Sequence, residues 1–459
     1  MRRTRFVSLL GLGFGDCGKG VFTDALCRRW QAHTVVRFNG GAQAGHNVVL
    51  PDGRHHTFSQ FAAGTLVPGV ATVLAYPVVV HPGALLVEQA RLQSIGVHDG
   101  LARLFIDRRC RVNTPFHQAA GRLRELARGT AAHGSCGVGV GETVRHALAH
   151  PEHALCYADL ARPARAMQKL EAMRRDLLSE LAASGRVAAN DAASAAEYRL
   201  LADERAAEAW LSSLQTLLRS VPPCSAEEVS ARLARPGTVL FEGAQGVLLD
   251  EWRGFHPHTA WSSVHSRAVA TVAADYGFHD KVEHLGVLRT YLTRHGAGPF
   301  PTADAQLNVL PEPHNSDHGW QGKFRRGHPD AVLLRYALKA TGPLDGLLVS
   351  HLDALSRGPG LRWCEAYATA VAGDEACIDP SSPTPAERVT HLPYSATEDL
   401  AHQAALTRLL FRMRPVYDAR TLRSPASLLE RLQETTRCAI WMTSCGPIHT
   451  AVQALPPAA

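Results

Sequence analysis

Residues Val7 to His46, VSLLGLGFGDCGKGVFTDALCRRWQAHTVVRFNGGAQAGH, constrain the fold more than any other stretch. Arg5 to Leu10 is a short apolar run that stops at glycine, the pattern of a buried strand. The glycine-rich loop Gly11 to Gly20 follows, and from Val21 to Trp30 apolar residues return at helical spacing. Strand, loop and helix N-terminus in this order form an anion cradle, because backbone N–H groups and the helix dipole face one point. Gly13 to Lys19 fits the GxxxxGK half of a P-loop, but residue 20 is glycine where a P-loop carries the Ser or Thr that holds Mg²⁺. Asp16, inside the loop, is then the candidate metal ligand; a generic glycine-rich turn is the plainer alternative. Thr34 to Phe38 reads as a second strand, and Asn39 to Asn47 as a second glycine loop carrying His46.

GFGDCGKG followed by NGGAQAGHN resembles the opening of the adenylosuccinate synthetase family, where the patterns are close to GDEGKGK and GGHNAGHT. The resemblance implies that Asp16 is general base and metal ligand, with the Gly45 carbonyl also on Mg²⁺. It makes His46 the general acid beside the transferred phosphoryl group and puts Lys19 on the phosphates. Gly15, Gly18, Gly20 and Asn47 complete the implied nucleotide cradle. Later motifs continue the likeness. FEGAQGVLLD, residues 241–250, matches a signature whose glutamine, Gln245, contacts the purine acceptor. TRHGAGPFPT, residues 293–302, is the most specific match, and the likeness extends over residues 4–455.

Nucleotide choice is implied by the last third. Asp353 ends Ser350-His351-Leu352-Asp353, where the family has TKLD, and a carboxylate there accepts both N1–H and the 2-amino group of guanine. His351 replaces the lysine that covers the base, and Ser444 and Gly446 lie in a loop similar to STGP. GTP is thus the implied co-substrate. Gln321, Lys323 and Arg325 fall in the arginine-rich loop that holds aspartate in the family; a solvated basic turn is the alternative. The implied reaction is phosphorylation of a lactam or purine 6-oxo oxygen, then displacement of phosphate by L-aspartate. The base, the charge on the γ-phosphoryl and the substrate carboxylates each call for the residue types present.

The departures concentrate on the acceptor. In the family an asparagine, two threonines and an arginine reaching across a dimer hold the IMP phosphate. Here the corresponding positions are Gln43, Cys136, a residue near His265, and His150 or Arg145. The third loop, HGSCGVGVG, carries Val138 where the family has arginine, and Trp320 and Gln321 replace paired threonines. A related nucleotide or a lactam without a 5′-phosphate therefore stands beside IMP as acceptor. A GTP-binding regulatory protein and a phosphoryl transferase that stops before amine attack are the readings from other classes.

Composition sets the remaining bounds. Forty-eight basic against 42 acidic residues give a net charge of +6 without a basic block, which argues against nucleic acid and suits anionic nucleotides. Twenty-four histidines look scattered, without metal-ligand spacing. Ten cysteines include no CxxC pair, which points to reduced thiols and a cytoplasmic protein. The N-terminal apolar run is too short for a signal peptide, and no stretch approaches the roughly 20 apolar residues of a membrane span.

Short strands alternating with helices predict an α/β fold: a large, mostly parallel central sheet flanked by helices, P-loop-related. The expected layout is one domain, 1–459, with an inserted helical subdomain at 158–235. Pro163 to Leu218 reads as almost wholly helical, Pro222-Pro223 as a break between helices, and Ala71 to Val80 as a strand pair or one bent strand. By resemblance the protein is a homodimer.

Overall fold

The computed structural model describes residues 4–184, 192–315, 317, 319–368 and 388–455. Ten strands form the central sheet: β1 (Thr4–Gly11), β2 (Ala32–Arg37), β3 (Ala71–Leu74), β4 (Leu104–Asp107), β5 (Pro223–Cys224), β6 (Gly237–Glu242), β7 (Glu283–Arg289), β8 (Gly346–Ser350), β9 (Ile440–Ser444) and β10 (Val452–Ala454). Their spatial order is β10-β9-β8-β7-β1-β6-β2-β3-β4-β5. Every pairing is parallel except β9 with β10. The first strand is therefore central, Val7 standing opposite Leu240 on one side and Glu283 on the other.

Both faces of this sheet are covered, which explains the unbroken apolar run of β1. Val7 and Leu9 pack with Leu26, Val35 and Leu285 on one face, Phe6 and Leu10 with Val36, Phe241 and Val269 on the other. Helix α1 (Lys19–Arg29) lies on the first face. It is followed by α2 (Pro82–Ser94), α3 (Pro115–Arg128), capped by Thr114, and α4 (Val140–Ala149). Helices α5 (Tyr157–Leu160), α6 (Pro163–Ala183), α7 (Ala192–Ala202), α8 (Ala206–Ser213), α9 (Gln215–Ser220) and α10 (Ala226–Leu233) make the helical stretch. Leu170, Met173 and Leu177 of α6 share a core with Phe116, Ala120 and Leu123 of α3.

Three expectations need correction and one, that of a strand pair or bent strand at 71–80, is narrowed to two strands. Pro223 does not merely break helices: Pro223–Cys224 pairs with Ile106 and Asp107 as the edge strand β5, a place that tolerates proline's missing N–H. The second glycine loop ends before His46, which opens the hairpin His46–Val49/His55–Phe58. Ala71 to Val80 is two separate strands, Val79–Val80 pairing instead with Arg111–Val112. The histidines are not all scattered: His146 and His150, four apart, converge with Asp176 of α6. All nine described cysteines are free, and no helix among the described residues is long and apolar enough to cross a membrane.

Candidate active site

The carboxyl ends of β1, β2, β6, β7 and β8 open onto one cavity of about 1300 Å³. A parallel sheet places its loops there, where ligands bind in α/β folds. The cavity is lined by Gly15, Asp16, Gly18, Lys19 and Gly20 of the first loop and the start of α1, by Gln43 and Gly45 of the second loop, and by His46 and Asn47 of the hairpin that follows. Cys136, Gln245, Gln321, His351, Asp353, Ser444 and Gly446 also reach it. Residues about 430 positions apart thus meet in one space. Lys323 and Arg325 do not line it. Lys323 is exposed, and Arg325 donates to the carbonyls of Gly296 and Gly298 at 2.6 Å each, so its guanidinium braces the 293–302 turn. His265 is likewise elsewhere: its Nδ1 caps a helix by accepting from the Ala268 N–H, while Thr259, Ala260 and Trp261 of that segment face the cavity.

Close packing explains why residue 20 is glycine. A Cβ at Gly20 would stand 2.4 Å from the Asn47 carbonyl oxygen, so the hairpin bearing His46 could not lie against α1. Gly18 has φ +89° and no room beside Ser350, a conformation open to glycine.

Asp16, itself at φ 45°, holds its carboxylate 3.5 Å from His295 Nε2. Burial would raise its pKa, but the His295 hydrogen bond and the charges of His295, Arg289 and Lys19 hold it below the ordinary carboxylate value. Lys19 Nζ donates to the Gln245 carbonyl at 2.7 Å. His46 Nδ1 lies 2.9 Å from Glu242 Oε1, and Glu242 Oε2 lies 3.8 Å from Arg37; all three side chains are buried. Burial drives the His46 pKa down to about 4, against the pull of Glu242. The ring is therefore neutral at pH 7, with Nδ1 turned to Glu242 and Nε2 left for the cavity. Glu242 stays ionised, its pKa about 2 despite burial, because His46, Arg37 and the Ala63 N–H stabilise the anion.

Several polar atoms on the wall are buried without a partner among the described residues. These include both amide atoms of Gln245 and Oε1 of Gln43, which lines the same wall. Such orphans in a native site call for a ligand. The Asp16 carboxylate and the Gly45 carbonyl are oxygen donors of the kind Mg²⁺ takes. Asp353 is 3.4 Å from Arg357, an i,i+4 contact with a well-exposed arginine, and such pairs are weak enough to yield to a ligand. Ser444 and Gly446 are held together by a 2.6 Å hydrogen bond, and the Ser444 carbonyl accepts from Leu352 N–H, tying both base-side loops.

Three functional neighbours were not singled out from sequence. Glu242 sits in the quoted FEGAQG run, and its position at the end of β6, one strand from His46's loop, carried no separate signal. Arg37 required knowledge of the β2–β6 pairing. His295 occupies the variable position of TRxGAGPFPT, which made it readable as a departure.

The chain matches the adenylosuccinate synthetase family model over residues 8–451. It is 34% identical to an adenylosuccinate synthetase of Mycobacterium leprae over 364 residues, covering 79% of this chain and 80% of the relative. It is 33% identical to that of Thioalkalivibrio sulfidiphilus over 369 residues, with the same shares. Its fold matches a fully ligated adenylosuccinate synthetase from Plasmodium falciparum with TM-score 0.76 at 20% identity, covering 98% of this chain and 100% of that one. A cyanophage S-2L succinoaminodeoxyadenylate synthetase bound to dGMP and dATP matches with TM-score 0.59 at 16% identity, covering 99% and 96%. Members of the matched family form C–N bonds with Mg²⁺ and with GTP as co-substrate. With the family model spanning nearly all of it and its sheet opening on a shared cavity, the chain belongs to the adenylosuccinate synthetase family of ligases.

Proposed function

We propose that the protein phosphorylates a lactam oxygen with the γ-phosphoryl group of GTP and then replaces that phosphate with the amine of L-aspartate. The observation carrying this reading is that Asp16, His46 and the unpartnered Gln245 amide share one cavity wall with Asp353. Asp16, kept ionised by its cationic neighbours, takes the lactam N–H proton so that the oxygen becomes the nucleophile. Gln245 offers a donor and an acceptor to the lactam edge. Asp16 and the Gly45 carbonyl would hold Mg²⁺, which would supply charge neutralisation on the phosphates. Lys19 and the loop N–H groups add to it. An anionic phosphoryl group facing His46 Nε2 offsets the burial that keeps the ring neutral, so His46 takes a proton and donates a hydrogen bond as charge develops. Asp353 selects guanine. The enzyme works as a cytoplasmic homodimer, with residues 1–459 as one catalytic unit and 158–235 as its helical insertion.

The acceptor is IMP-like without being held by an IMP-type phosphate clamp. Every arginine on the cavity wall already has partners. Arg124 and Arg145 meet Glu142 and Glu180, and Arg128 meets Glu125. Arg289 pairs with Glu312 and Arg294 donates to the carbonyls of Pro299 and His258, while Arg357, whose contact with Asp353 is weak, stands beside the base-side carboxylate. Burial pushes the Cys136 thiol pKa up, leaving a neutral and weak donor. Losing two charge-assisted contacts of about 1.5–3 kcal/mol each raises KM for IMP by roughly a hundredfold or more. The test follows GDP and phosphate release from GTP or ATP, with and without aspartate, across lactam acceptors including IMP. Expected are aspartate-dependent turnover with GTP, a weak response to IMP and loss of about 10²–10⁴ in rate in Asp16→Asn. Ordinary turnover with IMP at micromolar KM would show a rebuilt phosphate site, and no turnover with any acceptor would defeat the ligase assignment.

A further inference from the structure

The sequence His146-Ala-Leu-Ala-His150 sets two imidazoles one turn apart at the end of α4, and the tight turn that follows returns His153 to the same side. That turn is fixed by the His153 N–H donating to the His150 carbonyl at 3.1 Å. Across from them Asp176 projects from α6. Its Oδ2 lies 3.2 Å from His146 Nε2, 3.9 Å from His150 Nδ1 and 2.6 Å from His153 Nδ1. Tetrahedral ligands at about 2.0–2.2 Å from an ion stand a little over 3 Å from one another, which these spacings bracket.

We propose that His146, His150 and Asp176 bind a divalent transition-metal ion of the zinc class, clipping α4 to α6 and leaving a fourth position to solvent, while His153 Nδ1 steadies the Asp176 carboxylate. None of these residues lines the catalytic cavity, so this ion is separate from the Mg²⁺ of the proposed reaction. Two imidazoles and one carboxylate suit zinc, cobalt or nickel, whereas Mg²⁺ selects oxygen donors. The outer shell fits as well. Glu180 Oε1 is 2.9 Å from His150 Nε2, an arrangement that puts the proton on Nε2 and leaves Nδ1 for the ion. Burial is graded: the His146 side chain is 0% exposed, Asp176 17%, His150 29% and His153 33%. The site thus has a closed floor and a mouth open to solvent.

The test uses the full-length, untagged protein stripped with a chelator. Titration with Co²⁺ is expected to give the visible absorption of a tetrahedral site at one ion per chain, displaced by Zn²⁺ and unaffected by Mg²⁺. Zn²⁺ is expected to raise Tm, as any ligand of the native state does. In His150→Ala and Asp176→Asn, both partly exposed positions, the apo protein should keep its fold by circular dichroism. Zn²⁺ affinity in these variants should fall by on the order of a hundredfold, the effect expected of a lost ligand, and the Tm shift should vanish. An octahedral or absent cobalt spectrum would overturn the proposal, as would equal Zn²⁺ affinity in folded wild type and variants. Because these readouts need no turnover, they succeed or fail independently of the ligase assignment.

Discussion

Asp16, on the first glycine loop, and His46, at the start of the adjoining hairpin, are tuned in different ways. Asp16 owes its depressed pKa to cations, above all His295, whose own pKa is raised by that carboxylate against the effect of burial. Replacing His295 by Gln removes the hydrogen bond and the charge, so the Asp16 pKa rises. The acid limb of kcat/KM should then move to higher pH, and an unshifted limb in the pH–rate profile would show that His295 does not govern Asp16. His46 is tuned mainly by burial. Its unfolded ring takes a proton as pH falls below about 6.5, while the folded ring resists to about 4. Stability attributable to the neutral ring is therefore complete above the unfolded value and is lost as pH falls between the two, by up to ~3 kcal/mol. Glu242 adds a loss in the same direction lower down, between its ordinary value and about 2. Urea unfolding between pH 7 and 4 should show a shallower fall for His46→Gln than for wild type; parallel curves would remove His46 from the acid response.

At the scale of elements, the contact between α1 and the His46 hairpin is the most exacting. Gly20→Ser restores the P-loop consensus yet drives a side chain into the Asn47 carbonyl, backbone that cannot swing aside. Overpacking of this kind costs about 1–3 kcal/mol, so Tm should fall and His46 should shift. A variant as stable as wild type would mean that the hairpin moves freely. The inner strands β1 and β2 were legible within two residues, as Arg5 to Leu10 and Thr34 to Phe38, because apolar runs buried on both faces leave a strong pattern. The paired hairpin strands were not. HNVV and HHTF are four residues each and rich in polar side chains, and their pairing depends on α1 lying beneath them. Pro223–Cys224 was hidden for a related reason: two residues carry no periodicity, and only the neighbouring Ile106 makes them a strand.

Over the whole molecule, motif residues were legible where chemistry demands a residue type, as with Asp16, Lys19, His46, Gln245 and Asp353, all of which reach one cavity. Groups acting through long-range pairing were not, since Asp176 lies 23 to 30 positions beyond the histidines it meets and Glu242 is 196 beyond His46. Lys323 and Arg325 show the converse, basic residues read as substrate contacts that the fold leaves at the surface or spends on carbonyls. The undivided cavity has a kinetic corollary. On the proposed reading, a space of about 1300 Å³ bounded by Asp16, the glycine loops and Asp353 takes donor and acceptor side by side, with no partition among the described lining residues. Phosphoryl transfer then requires both substrates at once. Initial-velocity plots in which nucleotide and acceptor are varied together should give intersecting lines. Parallel lines would mean that a phosphorylated side chain carries the group between separate visits.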